Sequence, residues 1–171
     1  MAAQVSKDLT LPDRNVPSPL PSPGPSQLPI NITVNGGVKD GKGCFGVVIC
    51  HNSTVTYSTG RIPPSDSPMC SYRCELGGVL CSLTEAKALS SGTITVCCDN
   101  DAALGACCKS VEYRDGDWDL CLAIDAISQT STIQLQKVKG HADWDKLPHE
   151  LMKWEKDNVT ADRLATMALT E

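Results

Sequence analysis

The sequence has few aromatic residues, no excess of basic charge and no long apolar run. Only 4% of its 171 residues are Phe, Trp or Tyr, which argues against an aromatic platform that stacks single-stranded bases. The formal net charge is −5, so long-range attraction of phosphates is not expected, although bound divalent cations can reverse the field locally. No apolar run is long enough to cross a bilayer, and the first ten residues lack the apolar segment of a secretory signal peptide. We therefore expect an intracellular protein, cytoplasmic or nuclear, with no membrane partner.

Cysteine is abundant, yet none of the ten cysteines forms the C-x-x-C spacing of a zinc site. A free thiol packs as a small hydrophobe, and without a signal peptide we expect reduced, buried thiols rather than disulfides. A redox or metal–thiolate protein is an alternative that rests on the cysteine count alone. Nine cysteines lie in apolar segments: Cys44, Cys50, Cys74, Cys81, Cys97, Cys98, Cys107, Cys108 and Cys121.

Residues 1–29 are a Pro-rich segment. The stretch "VPSPLPSPGPSQLP" alternates proline with small residues, so it joins neither a helix nor a sheet ladder and favours extended polyproline II. We interpret residues 1–29 as a disordered tail or linker; the alternative is a Pro-rich ligand for a partner domain. Residues 30–171 have a length that suits one folded domain.

The first part of that domain predicts three strands. The alternating "INITV", the apolar run "CFGVVIC" and the β-branched "STVTYSTGRI" indicate an antiparallel meander, with "GGVKDGKG" and "HNS" as turns. A helix follows in "MCSYRCELGGVLCSLTEAKAL", with Ser67 or Ser71 as a candidate cap. Its glycines, Gly77 and Gly78, suit close packing on a sheet.

The second part predicts two further strands and three helices. The strands are "TITVCCD" and "TIQLQKVKG", and the helices are "NDAALGACCKSV", "DWDLCLAIDAISQT" and "EKDNVTADRLATMALTE". The order β-β-β-α-β-α-α-β-α predicts an α/β (mixed α+β) fold, in which a five-stranded mixed sheet carries helices on both faces. The first and fourth strands lie side by side at its centre.

Four polar residues are predicted to meet at one edge of this sheet. Asn35 ends the first strand and Asp99 the fourth, while Glu75 lies early in the long helix and Asp162 in the last helix. Crowded carboxylates repel one another unless cations lie between them, and oxygen ligands suit Mg²⁺. Two such ions about 4 Å apart support phosphodiester cleavage. Taken singly, each acidic residue also has a purely structural interpretation. Glu75 would be a solvated helix residue, Asp99 a helix N-cap and Asp162 a member of a surface ion pair.

These motifs resemble a ribonuclease H domain, most closely the domains in the reverse-transcriptase polyproteins of retrotransposons. The resemblance runs from Ile30 to the C-terminus and is carried, in the family's order, by "NGGVKDGKGCFGVVI", "SYRCELGGVLCSL", "VCCDNDAAL", "VKGHADWDKL" and "NVTADRLA". It implies the ribonuclease H-like fold, two Mg²⁺ or Mn²⁺ ions per site and hydrolysis of the RNA strand of RNA–DNA hybrids. It also implies a polymerase domain in the same polyprotein as a partner.

By position, the resemblance implies that Glu75, Asp99 and Asp162 are metal ligands. His141, in "KGHAD", matches a mobile-loop histidine that assists product release or proton transfer, which suits a side chain that titrates near neutrality.

Position 35 departs from the family, in which it is an Asp shared by both metal ions. Asn35 keeps a coordinating oxygen but carries no charge, so we expect weaker metal binding and a higher barrier, each ~1.4 kcal/mol being tenfold in rate. Three origins remain open: an engineered substitution, a natural copy that binds without cutting, or conversion of Asn35 to Asp at the flexible Asn-Gly pair. The predicted catalytic set is Asn35, Glu75, Asp99, His141 and Asp162.

Few residues are candidates for contacts with nucleic acid. The backbone amides of Gly36 and Gly37 permit close approach, and Arg73 and Asn100 are candidate contacts to the 2′-hydroxyls that mark an RNA strand. There is no dense basic helix, so we expect weak, salt-dependent binding by the isolated domain. Two alternatives are a catalytically inactive hybrid-binding or scaffolding domain and another nuclease or integrase on the same scaffold. The candidate lysines for contacts with phosphates are Lys39, Lys42, Lys137, Lys139 and Lys146.

Overall fold

The computed structural model describes residues 27–108 and 117–170, which form five strands, four α-helices and one short 3-10 helix. Most of the predicted Pro-rich tail, residues 1–26, lies outside the described residues. The elements are β1 (Ile30–Lys39), β2 (Lys42–His51), β3 (Thr54–Ile62), α1 (Ser71–Leu89), β4 (Ile94–Cys98), α2 (Asp101–Ala106), α3 (Trp118–Ser128), β5 (Ile133–Lys137), the 3-10 turn (Ala142–Trp144) and α4 (Lys153–Ala168).

The sheet is mixed and has the order β3-β2-β1-β4-β5. Strands β1, β2 and β3 pair antiparallel, whereas β4 pairs parallel with both β1 and β5. Helix α1 packs against β1 and β2, and α4 packs against the same two strands. The predicted fold, with β1 beside β4 at the centre of a five-stranded mixed sheet, is therefore confirmed.

The first hairpin differs from the prediction. Strand β1 continues through the two glycines to Lys39, and Gly36 and Gly37 pair with Phe45 and Cys44 of β2. The turn is only Asp40-Gly41, both with positive φ (51° and 74°), as a two-residue hairpin turn requires. The prediction that the strand ends at Asn35 was wrong, and this amide lies inside a central strand.

Two helix boundaries also differ. The residue before α1 is Cys70, which makes no side-chain cap, so neither Ser67 nor Ser71 has the predicted role. The helix predicted over residues 100–111 ends at Ala106, and residues 109–111 lie outside the described part of the chain.

Glycines allow the helices to approach the sheet closely. A Cβ placed on Gly78 of α1 would lie 2.5 Å from Cγ1 of Val34, which agrees with the close packing predicted for the glycine pair. On the other face, a Cβ on Gly46 of β2 would meet the carbonyl oxygen of Ala161 and lie 2.8 Å from the amide nitrogen of Ala165. Helix α4 therefore lies directly on the β2 backbone.

We expect Gly46→Ala to destabilise the fold, because α4 could accommodate an added methyl group only by moving away from β2 and losing this packing. The added methyl group meets helix backbone rather than a flexible side chain, so the free energy of unfolding should fall by about 3 kcal/mol, the upper end for overpacking. Gly37→Ala is the matched control, because its Cβ would lie 3.4 Å from the movable Leu169 Cδ1 and should change stability by less than about 0.5 kcal/mol. Urea denaturation measures both; equal effects would contradict the packing argument.

None of the ten cysteines, all of which lie in described residues, forms a disulfide. Six are buried, as predicted for thiols that act as small hydrophobes. Cys108 is an exception: it is exposed because α2 ends before it, so its predicted packing in the interior was wrong. Over residues 27–108 and 117–170, no helix combines the length and apolar character needed to cross a bilayer.

Candidate functional site

Asn35 and Asp99 both lie just beyond the last residue pair that joins the neighbouring strands β1 and β4. The parallel register ends with Thr33 opposite Cys97; β1 then continues through Asn35, whereas β4 ends at Cys98 and Asp99 follows it directly. Asn35 is directly opposite Gly46, which packs on α4, so the side chain of Asn35 points toward that helix. The amide is 6% exposed, and its Oδ1 accepts a hydrogen bond from the Gly36 backbone amide at 2.8 Å.

Glu75 lies one turn into α1 and comes close to β1 next to Asn35. A Cβ on Gly36 would lie 2.6 Å from the amide nitrogen of Glu75, so β1 and α1 are in contact at this point. The Glu75 side chain is buried, and its Oε2 has no hydrogen-bond partner. Burial first, and then the negative charge of Asp99, raises the pKa of Glu75 to about 7, although a hydrogen bond from Asn100 favours the charged form. A buried, unpartnered carboxylate oxygen is costly unless something binds it.

Glu75 and Asp99 form a compact cluster with Cys98. One carboxylate oxygen from each acid and the Sγ of Cys98 all lie within 4.8 Å of one another. The helix after β4 is capped by Asn100, whose Oδ1 accepts from the amides of Ala102 (2.9 Å) and Ala103 (3.4 Å). Asp99 is therefore not the N-cap, and its carboxylate belongs to the cluster.

Helix α4 contributes Asn158 directly and Asp162 at the rim. Nδ2 of the buried Asn158 donates to Oδ2 of Asp99 at 3.5 Å, and its own Oδ1 is buried without a partner. Asp162 lies one turn further along the helix, with its side chain 39% exposed, and it is not part of the 4.8 Å cluster. The structure thus gathers Glu75 and Asp99 beside Asn35 and leaves Asp162 at the edge of the site.

His141 lies in the loop between β5 and α4, in a left-handed backbone conformation with φ of 49°. Its Nδ1 is 4.0 Å from Oδ2 of Asp162, which brings the loop to the rim of the site. The imidazole stacks on the indole of Trp144, with ring centroids 4.1 Å apart and an interplanar angle of 11°. The same loop passes over Asp99, because a Cβ on Gly140 would lie 2.6 Å from its Oδ2.

Three predicted nucleic-acid contacts are used elsewhere. Arg73 is buried, and its guanidinium donates to Asp117 at 2.9 Å and to Asp119 at 3.0 Å, so it joins α1 to the start of α3. The prediction that Arg73 faces a hybrid is therefore corrected. The amide of Gly36 donates to Asn35, and the side chain of Asn100 caps α2 and hydrogen-bonds Glu75.

Gly37 and Lys137 remain accessible beside the site. Gly37 is partly exposed where β1 pairs with Cys44. Lys137 Nζ donates to the carbonyl oxygen of Asp99 at 2.5 Å and pairs with Asp101 at 3.0 Å, and its charge acts to lower the pKa of Glu75. Of the predicted lysines, Lys137 thus lies next to the cluster.

The sequence did not indicate three residues of the site: Cys98 and Asn158, which lie beside the carboxylates, and Trp144, which stacks on His141. The apolar sequence around Cys98 predicts a buried thiol and no role in the site, although Cys98 directly precedes Asp99. Asn158 precedes Asp162 by four residues, a spacing that places both on one helix face. That spacing was a usable signal.

The donor set fits a divalent cation. Two carboxylates lie together, one of them has an unpartnered buried oxygen, and the neutral amide of Asn35 offers a further oxygen from the adjoining strand β1. A cation would offset the burial of the Glu75 carboxylate and its repulsion by Asp99, which together raise the pKa of Glu75.

Comparisons with known proteins identify the fold. No family model and no curated protein matches the sequence. The structure is similar to the N-terminal ribonuclease H domain of a Mycobacterium tuberculosis protein, with a TM-score of 0.64, 20% identity, and coverage of 84% of this chain and 94% of that one. It is also similar to ribonuclease H1 from Halobacterium salinarum (TM-score 0.63, 14% identity, 83% and 98% coverage). A third similar structure is LC11 ribonuclease H1 in complex with an RNA/DNA hybrid (TM-score 0.61, 14% identity, 82% and 96% coverage). At these identities the likeness establishes a ribonuclease H-like fold.

Proposed function

We propose that this chain is a metal-dependent endonuclease scaffold of the ribonuclease H type, which acts on the RNA strand of RNA–DNA hybrids and is impaired by Asn35. The observation that carries the proposal is the cluster of Glu75 and Asp99 beside Asn35, with a buried carboxylate oxygen that has no partner. One similar structure holds an RNA/DNA hybrid, which supports that substrate class.

Asn35, Glu75, Asp99 and Asp162 are the residues that would hold Mg²⁺ or Mn²⁺, two ions per site. When bound, such ions activate a water molecule and stabilise the leaving oxygen of a phosphodiester. Glu75 and Asp99 supply the negative charge that attracts the ions. Asn35 supplies an oxygen without charge, and that oxygen already accepts a hydrogen bond from Gly36.

The remaining residues organise the site. Asn158 donates to Asp99, and Asn100 hydrogen-bonds Glu75, so amides hold both carboxylates in place. His141 is 45% exposed, which leaves its imidazole accessible to a substrate, and its Nδ1 lies 4.0 Å from Oδ2 of Asp162. We assign His141 to proton transfer at the leaving group or to product release.

The wider context belongs to the same proposal. The motifs from "NGGVKDGKGCFGVVI" to "NVTADRLA" support a place beside a polymerase domain in a retrotransposon polyprotein, with residues 30–171 as the nuclease domain and residues 1–29 as its linker. The absence of disulfides among the ten cysteines supports a reducing compartment, cytoplasmic or nuclear. A polymerase would also strengthen binding to the hybrid, since none of the four α-helices in residues 27–108 and 117–170 is densely basic.

A hybrid-binding domain without catalysis is the second candidate, and Asn35 is the observation that favours it. Cleavage of a labelled hybrid by the unaltered chain and by Asn35→Asp tests the first proposal. Calorimetry with Mg²⁺ and Mn²⁺ separates the two, because a binding domain with an idle pocket does not need to take up two ions.

Trp144 should act on this chemistry through His141. In an Asn35→Asp background we expect Trp144→Ala to lower kcat about tenfold, because the imidazole loses the ring that holds its orientation. Trp144→Phe keeps a stacking ring and should retain most of the activity. Trp144 is 77% exposed, so its removal should shift stability by less than about 0.5 kcal/mol. Equal kcat for the Ala and Phe variants would contradict the positioning role.

A further inference from the structure

We propose that Glu75, Cys98 and Asp99 form a mixed thiolate–carboxylate site for a thiophilic divalent cation of the Zn²⁺ class. The Sγ of Cys98 and one oxygen from each carboxylate lie within 4.8 Å of one another. Neighbouring sulfur and oxygen ligands of a tetrahedral Zn²⁺ ion lie about 3.6 Å apart, so the three side chains would need to close around the ion by up to about 1 Å. The metal site itself does not depend on the proposed nuclease function. Its expected effect, inhibition of hybrid cleavage, rests on that function.

The surroundings of the three atoms point to a ligand. Glu75 is 5% exposed, and its Oε2 is buried without a hydrogen-bond partner. The Sγ of Cys98 accepts a hydrogen bond from the amide of Asn100 at 3.5 Å, which orients the sulfur. Lys137 lies beside the cluster but also pairs with Asp101, so this lysine does not balance the charge of both carboxylates.

The sulfur decides which ion is preferred. Thiolates bind Zn²⁺ and other soft or borderline ions, whereas Mg²⁺ takes oxygen ligands and keeps several waters. A bound thiophilic ion displaces the thiol proton to solvent, so the site would offer three anionic donors. Such an ion would occupy the carboxylates that the proposed hydrolysis requires, and it would therefore inhibit that reaction in competition with Mg²⁺.

The experiment uses Cd²⁺ alone as the probe, because a Cd²⁺–thiolate bond has its own ultraviolet charge-transfer absorption. The full chain carries Cys70→Ser and Cys108→Ser, which remove the two exposed thiols. We expect this protein to bind one Cd²⁺ with thiolate absorption. Adding Cys98→Ser should abolish the absorption and weaken binding by more than about 100-fold, above the cost of losing a group that only supports a ligand.

Cys97→Ser is the matched control. Cys97 is the neighbouring thiol, also fully buried, and it is not part of the cluster. The Cys97 variant should keep both the absorption and the affinity. Glu75→Gln leaves every thiol in place and should still weaken Cd²⁺ binding, which covers the case in which Cys98→Ser folds poorly. Unchanged absorption in Cys98→Ser, or its loss in Cys97→Ser, would overturn the proposal.

The two proposals fail separately. If Asn35→Asp cleaves hybrids but the Cd²⁺ signal does not depend on Cys98, this inference alone is wrong. If the signal depends on Cys98 and Asn35→Asp cleaves nothing, the thiolate site stands and the proposed nuclease function fails.

Discussion

An Asn35→Asp variant should cleave the RNA strand of an RNA–DNA hybrid in the presence of Mg²⁺ at least about a thousandfold faster than the unaltered chain. The substitution adds one negative charge on β1, just beyond its last pair with β4 and on the face of the sheet that meets α4. A factor of a thousand corresponds to about 4 kcal/mol of barrier, the size associated with removing one group that stabilises developing charge in a buried site. Single-turnover cleavage of a labelled hybrid measures it.

Asn31→Asp is the matched control for this variant. It makes the same change of amide to carboxylate on the same strand and the same face, but four residues or about 13 Å away from the site. Asn31→Asp should leave cleavage unchanged, whereas Glu75→Gln added to Asn35→Asp should remove most of the gain. Equal inertness of the unaltered chain and Asn35→Asp under both Mg²⁺ and Mn²⁺ would refute the nuclease proposal.

The hairpin at Asn35 shows how far the sequence alone reaches into the fold. Periodicity predicted both strands, because each follows an apolar pattern. The pair Gly36-Gly37 predicts a turn, since glycine is common in turns. In the structure Gly36 serves the contact between β1 and α1, and Asp40-Gly41 makes the turn. A glycine required by a distant helix and a glycine required by a turn look the same in a sequence.

The site shows the same limit. The positions of Glu75 and Asp99 followed from the order of strands and helices, and the structure does bring their carboxylates together. The direction of the Arg73 side chain could not be predicted in this way, because its partners Asp117 and Asp119 are more than forty residues away, at the start of another helix. Position along an element predicts which sheet edge a residue reaches. Ion pairs between distant helices decide which way its side chain then turns.

The pH dependence of folding should report the buried carboxylate directly. Because the pKa of Glu75 is raised to about 7 from an ordinary value of 4.5, the folded state holds a proton that the unfolded state has lost between these two pH values. The contribution of Glu75 to the free energy of unfolding is therefore fully present below pH 4.5 and is lost as pH rises through 7. The full difference is about 3 kcal/mol, or roughly 10 °C in Tm for a domain of this size.

Glu75→Gln should remove this dependence in metal-free protein. At pH 8 the variant should be more stable than the unaltered chain by about 3 kcal/mol, and the difference should shrink as the pH falls toward 4.5. Mg²⁺ should raise the Tm of the unaltered chain at pH 8 and have little effect on the variant, because a cation offsets the buried charge only where that charge exists. Glu150→Gln, at an exposed loop position, should keep the profile of the unaltered chain. Parallel profiles for Glu75→Gln and the unaltered chain would mean that Glu75 carries no buried charge at neutral pH, and the argument for a cation between Glu75 and Asp99 would lose its electrostatic basis.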